Sequence, residues 1–162
     1  MRVLIVTSMY PIEELPYLGV FVAEQVRSLQ AAGVHADVIF INAKKTRLNY
    51  VLGLPRVLQK LHAARYDAIH THHTYTVPMV DLARRLARCR TPIILTNHEG
   101  ETLDRMRRTR TWHLTSRIRH SLGLKRFIAR RADFVIFVSR ALSNAIATNG
   151  RHENGEILHR AA

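Results

Sequence analysis

Three histidines fall within four residues in "YDAIHTHH", at His70, His72 and His73, and a fourth, His98, stands next to Glu99 in "TNHEGE". Imidazole titrates near neutral pH, so such residues can act as acid, base, hydroxyl partner or metal ligand. Alternate residues of a strand share a face, which points His70 and His72 together and His73 away. Two imidazoles without an evident third ligand make a poor zinc site, because such sites take three or four protein ligands. The favoured reading is a set of polar strand-end residues lining a cleft, and no metal is expected. For His98 and Glu99 two readings stand side by side: an acid–base pair at a cleft, or a mutually satisfied loop pair.

The second chemical signal is charge. Twenty-five Lys and Arg face twelve Asp and Glu, for a formal net charge of +13 over 162 residues. That excess calls for an anionic partner: nucleic acid, acidic lipid or a phosphorylated ligand. It is concentrated between Arg105 and Arg131, where "RMRRTRTWHLTSRIRHSLGLKRFIARR" holds ten Lys and Arg and no acid. Trp112 among Arg107, Arg108, Arg110, Arg117 and Arg119, beside an apolar stripe of Leu114, Ile118 and Leu122, suits an interfacial helix meeting anionic headgroups. Nucleic acid would also accept such a segment, but no reader motif accompanies it, so nucleic acid is the less favoured partner.

The elements that would position these residues follow from hydrophobic patterning. Hydrophobic residues make up 47% of the chain, enough for a core, and no apolar run reaches the ~20 residues of a membrane span. Strands are predicted over 2–7, 34–42, near 67–72, 91–97 and 132–139, with a sixth beginning at "GEIL". Helices are predicted from Val20 to Ala32, ended by Gly33, from Pro55 onward, from Pro78 to Ala87, around the Leu114 stripe, and from a Ser139 cap through Ile146. Strand alternating with helix predicts one α/β domain: a mostly parallel sheet of about six strands with helices on both faces, Rossmann-like. The lone Cys89 rules out an internal disulfide and fits a reducing compartment.

Ligands of such sheets bind beyond the carboxyl ends of the strands, which singles out residues 8–19, 72–76, 98–101 and Ser139. The first of these loops, "SMYPIEELPYLGVF", is no G-x-G-x-x-G, and no G-x-x-x-x-G-K-[ST] occurs. It does place Gly19 directly before a helix. There it either admits a ligand close to the backbone amides or merely ends a long turn.

In order, "MRVLIVTSMYP", "GVFVAEQVRSLQAAGVHADVI", "YDAIHTHH", "TPIILTNHEG" and "ADFVIFVSRAL" resemble the N-terminal half of GT-B-fold glycosyltransferases of the family-4-like, retaining type. The resemblance covers nearly the whole chain. It implies that residues 1–162 form the acceptor-side Rossmann-like domain, without the C-terminal donor-binding domain. It implies transfer of a sugar from a nucleotide-sugar to a saccharide or lipid-linked acceptor, with no metal and no cofactor, and negligible transfer by this chain alone. By the same likeness His98 contacts the transferred sugar, Glu99 and Gly100 complete its loop, Ser139 begins the helix after the fifth strand, and His72 belongs to an I-H-x-H pattern at the cleft. Gly19 matches the glycine-rich first loop, with Leu18-Gly19 where many relatives carry Gly-Gly. The expected location is cytoplasmic, peripheral on the inner face of the membrane. The competing reading is a non-catalytic membrane-surface module or a truncated remnant, docking through the basic segment.

Overall fold

The computed structural model describes residues 1–98, 122–138 and 157–159. Outside them lie Glu99, Gly100, Ser139 and its expected helix, and the basic residues Arg107, Arg108, Arg110, Arg117 and Arg119 with Trp112. Strand β1 (Arg2–Thr7) leads to helix α1 (Val20–Ala31), β2 (His35–Phe40), α2 (Asn49–Ala63), β3 (Ala68–Thr71), α3 (Val77–Leu86), β4 (Ile93–Asn97), α4 (Leu122–Ala129), β5 (Phe134–Phe137) and β6 (Ile157–His159). The six strands form one sheet in the order β2-β1-β3-β4-β5-β6. The first five are mutually parallel, and β6 runs antiparallel to β5. The chain is thus the Rossmann-like α/β domain expected from its patterning.

The continuous apolar run of β1 is explained by burial on both faces. Leu4 and Val6 join the core beneath α2, α3 and α4, with Val57, Val80, Ala83 and Ile128. Val3 and Ile5 point the other way, into a smaller core with Val22 and Val26 of α1. Each such fully buried side chain contributes roughly 1.5–3 kcal/mol of transfer free energy. Helix α1 ends as its sequence predicts: Gly33 at φ 78° lets Val34 N–H reach the Leu29 carbonyl (2.9 Å) and Gly33 N–H the Gln30 carbonyl (3.0 Å).

Helix α2 departs from expectation. It begins at Asn49, not at Pro55, and Pro55 lies inside it. The loop before it sets the start: Asn49 Nδ2 donates to the Asn42 carbonyl (2.7 Å), and the Thr46 hydroxyl accepts from Leu48 N–H (3.3 Å). The proline deprives the Val51 carbonyl of its intrahelical donor, and Val51 is exposed, where water can replace it.

Charge pins the amino edge of the sheet. Asp37 of β2 accepts from Lys60 Nζ (2.8 Å), from Arg2 Nε and an Arg2 terminal nitrogen (3.0 and 2.8 Å), and from the Tyr66 hydroxyl (2.9 Å). Those bonds, Lys60 foremost, hold the Asp37 carboxyl well below its usual range against the opposing effect of burial. Burial, then Asp37, pushes the Tyr66 phenol up to about 12, so it stays a donor. Farther along the same edge Arg84 bridges Asp81 (2.9 Å) and Asp133 (2.6 Å), and Asp133 also accepts from Ile93 N–H (2.8 Å).

Gly19, at the other end of β1, has φ 66°, and a Cβ built there would sit 2.4 Å from the Met9 carbonyl carbon. Gly33 has a similar φ but open space around it. Gly33→Ala is therefore expected to cost about 1 kcal/mol, for the left-handed backbone alone. Gly19→Ala should cost at least about 2 kcal/mol more, since backbone must shift. Equal urea midpoints for the two variants would refute the close approach. Asp37→Asn should destabilise by about 1–2 kcal/mol at pH 7, a figure reduced for the solvent reaching Lys60 and Arg2. Because the folded carboxyl is depressed, its contribution is complete above the unfolded value of about 4 and fades as pH falls below it. The stability gap between wild type and Asp37→Asn should thus narrow from pH 7 to pH ~3; a constant gap would exclude this role.

Candidate active site

The strand order reverses direction at β1: the chain steps from β1 outward to β2, then returns to the far side of β1 to form β3. A crevice opens at such a point beyond the carboxyl ends of the strands. The residues that follow β1, β3 and β4 there are the long loop to Gly19, His72 and His98.

Those residues meet. His98, half-buried, packs its ring on Phe21 with centroids 4.4 Å apart, and Phe21 lies two residues beyond Gly19. On its other side the His98 and His72 rings stack at 5.6 Å and 20°, with His98 Nε2 3.4 Å from His72 Nδ1. His72 in turn lies 4.3 Å from His70, ring to ring, so the shared face expected from strand alternation is present. His70 Nε2 is 2.7 Å from the Thr96 hydroxyl of β4. His73 turns away, its Nδ1 3.4 Å from the Tyr50 hydroxyl and its ring 5.3 Å from that of Tyr75.

Burial governs the electrostatics. It lowers His70 to about 4 and His72 to about 3, and lowers His98 as well; the neighbouring imidazoles add to the first two shifts. All three rings are neutral at pH 7, and each then offers one N–H and one bare nitrogen. Between His72 and His98 only one of the two facing nitrogens can carry the proton. The remaining nitrogen of His72, Nε2, is buried and has no hydrogen-bond partner among the described residues. An unsatisfied polar atom of this kind costs about 1–3 kcal/mol. A ligand hydroxyl, which both donates and accepts, would complement these neutral rings without an added charge. Among the described residues no group of three His, Cys, Asp or Glu is placed to hold a metal ion.

Gly19 is required by the chain itself, since the space a side chain would fill belongs to the Met9 backbone. It also begins α1, whose first turn carries neither a side-chain cap nor an acid. Phe21 and Thr96 were not singled out in the sequence. Phe21 lies off the Val22, Val26, Leu29 stripe, and an exposed-face aromatic just past the glycine that opens the helix was the available signal. Of the basic segment the described part is 122–131, where the Arg131 guanidinium lies 4.0 Å over the Phe127 ring and donates to the Phe127 carbonyl (3.1 Å). No helix among the described residues is long and apolar enough to cross a membrane.

The depressed imidazoles have a consequence for stability. Below the unfolded histidine value of about 6.5 the unfolded chain takes up protons that the folded chain refuses, so stability falls with pH until the folded values are reached. Between pH ~6.5 and ~4, His70 should account for a loss on the order of 2–3 kcal/mol. His70→Asn, which keeps a partner for Thr96, should flatten that limb in urea titrations. Parallel curves for the two proteins would show that His70 titrates normally.

No curated protein matches the chain in sequence. Among solved structures it is similar to the crystal structure of Acinetobacter baumannii MurG, at 13% identity and a TM-score of 0.43. The match covers 95% of this chain and 44% of that one, so the chain spans less than half of its length. The sequence matches the glycosyl transferase 4-like domain over residues 41–158, a span that contains β3, β4 and both His72 and His98. The chain belongs to the glycosyl transferase 4-like domain family.

Proposed function

We propose that this domain is the acceptor side of a sugar-transfer reaction, binding the saccharide portion of its substrate against His98, which His72 supports from behind, while a nucleotide-sugar supplies the transferred residue. Family membership supports the class of reaction. The observation that carries the assignment of the site is the contact chain Phe21, His98, His72 at the carboxyl rim, in which exposed Phe21 and half-buried His98 are the rings a ligand can reach and buried His72 backs them.

In this reading Phe21 offers an apolar surface to a sugar ring, and the His98 imidazole orients a hydroxyl. Neutrality is useful here. A charged imidazole would hold its proton and could not accept from a hydroxyl, whereas the neutral ring can do so through its bare nitrogen. The N-terminus of α1, free of acids, provides a partial positive charge beside His98 for phosphate or for developing negative charge. Gly19 acts indirectly, by letting the β1–α1 loop close onto Met9 and so fixing where Phe21 stands. Glu99, Gly100 and Ser139 would complete the rim by the family likeness, and a cytoplasmic setting fits a nucleotide-sugar donor.

Saturation-transfer difference NMR with a panel of neutral mono- and disaccharides tests the site. At least one should receive saturation from the protein, and His98→Ala should reduce that signal by about tenfold or more, the scale for losing a specific hydroxyl partner together with ring contact. The thermal midpoint should move little, because His98 is only half-buried. Absence of saccharide binding, or binding indifferent to His98→Ala, would overturn the assignment.

A further inference from the structure

A cavity of about 770 Å³ opens away from the imidazoles, between the β1–α1 loop, the end of β2 and the first turns of α2. Ile12, Leu15, Ile41 and Leu52 give it apolar walls, while Lys44, Lys45 and Arg56 line it with positive charge against a single acid, Glu14. We propose that this cavity binds a phosphate-bearing amphiphile, the phosphate held by Lys44, Lys45 and Arg56 and the apolar body resting on Ile12, Leu15 and Leu52. As the anchor of an acceptor this rests on the sugar-transfer reading above and gives that acceptor its chemical class: a lipid phosphate.

Several observations carry it. The cations are uncommitted: among the described residues Lys44 and Lys45 have no ion-pair partner, and Arg56 has no acid and donates to the Phe40 carbonyl (3.1 Å). Elsewhere the chain spends its acids freely on cations, as at Asp37 and Asp81. The loop that bears the lysines is fixed before any ligand arrives, with Lys45 N–H on Asn42 Oδ1 (3.2 Å), Asn49 Nδ2 on the Asn42 carbonyl (2.7 Å) and Ala43 N–H on the Ile41 carbonyl (2.7 Å). The α2 amides of Asn49, Tyr50 and Val51 already donate to carbonyls of residues 46–48, so side chains must neutralise the anion. Leu52 on the cavity wall, with Leu48 and Val51 on the same turn of α2, is more than 60% exposed, an apolar ledge continuous with the cationic mouth. The cavity sits at the end of β2, on the same rim as His98 at the end of β4. Three strand spacings, about 14 Å, separate those two strands, which suits one extended acceptor.

Calorimetric titration of the whole chain with three probes tests the proposal: inorganic phosphate, a hexose 1-phosphate and submicellar n-octyl phosphate, with 1-octanol as the neutral control. Octyl phosphate should bind at least about tenfold more tightly than the other two phosphates, which burial of two or three methylenes suffices to supply. Octanol should not bind measurably. Lys44→Ala/Lys45→Ala should weaken octyl phosphate on the order of tenfold or more. Leu52→Ser should weaken octyl phosphate and leave inorganic phosphate unchanged. All three residues are exposed, so unaltered circular dichroism and thermal midpoints are expected of these variants. A hexose phosphate that binds as tightly as octyl phosphate would assign the cavity to a soluble phosphosugar and overturn the proposal, as would double-variant binding equal to wild type. Octyl phosphate binding should survive His98→Ala. Its loss there would place the probe at the imidazoles and refute the separate site. Failure of saccharide binding with octyl phosphate binding intact would instead remove only the sugar-transfer reading.

Discussion

Burial of the parallel sheet on both faces is the constraint from which the rest of this domain follows. With Val3 and Ile5 facing one core and Leu4 and Val6 the other, the strand interiors have no room for unsatisfied polar groups. Polar chemistry is driven to the two edges. The amino edge takes the ion pairs of Asp37, Asp81 and Asp133 with Lys60, Arg2 and Arg84, and the carboxyl edge takes the imidazoles and the cationic cavity. His70 is a titratable group buried within a strand, and it is tolerated because Thr96 on the adjacent strand satisfies it and because burial favours its neutral form.

This division explains what the residue pattern could reveal. Strands β1, β3 and β4 stood out as short, largely apolar runs because they lie in the buried middle of the sheet, and the sheet class followed from the alternation of strands with helices. The shared face of His70 and His72 was legible for the same reason: strand alternation is local. Gly33 was legible as a helix terminator because its role needs only its own φ and the preceding turn. The α2 start was not, since Pro55 signals a first turn whereas the actual start is set by Asn42 and Asn49 across a loop.

The candidate site was legible by position and not by composition. Strand-end residues His72, His98 and Gly19 could be picked from topology, but the ring of Phe21 on His98 joins α1 to β4, elements far apart in sequence, and no spacing rule anticipates it. Gly19 illustrates a second limit. The sequence left open whether Gly19 admits a ligand or ends a long turn, and the approach of the Met9 backbone to it is a fact about backbone meeting backbone that no residue pattern carries. Nothing in the sequence sets Lys44 and Lys45 apart from an ordinary polar connection, because a cavity is made by what surrounds it.

The separation of the two edges also bears on how such a domain can diversify. Substitutions among the exposed residues Phe21, Lys44, Lys45 or Leu52 leave the clamps around Asp37 and Asp133 untouched, so the carboxyl rim can change while the scaffold keeps its stability. A domain built on this plan can have the loops of one rim rewritten with its foundation laid on the opposite shore.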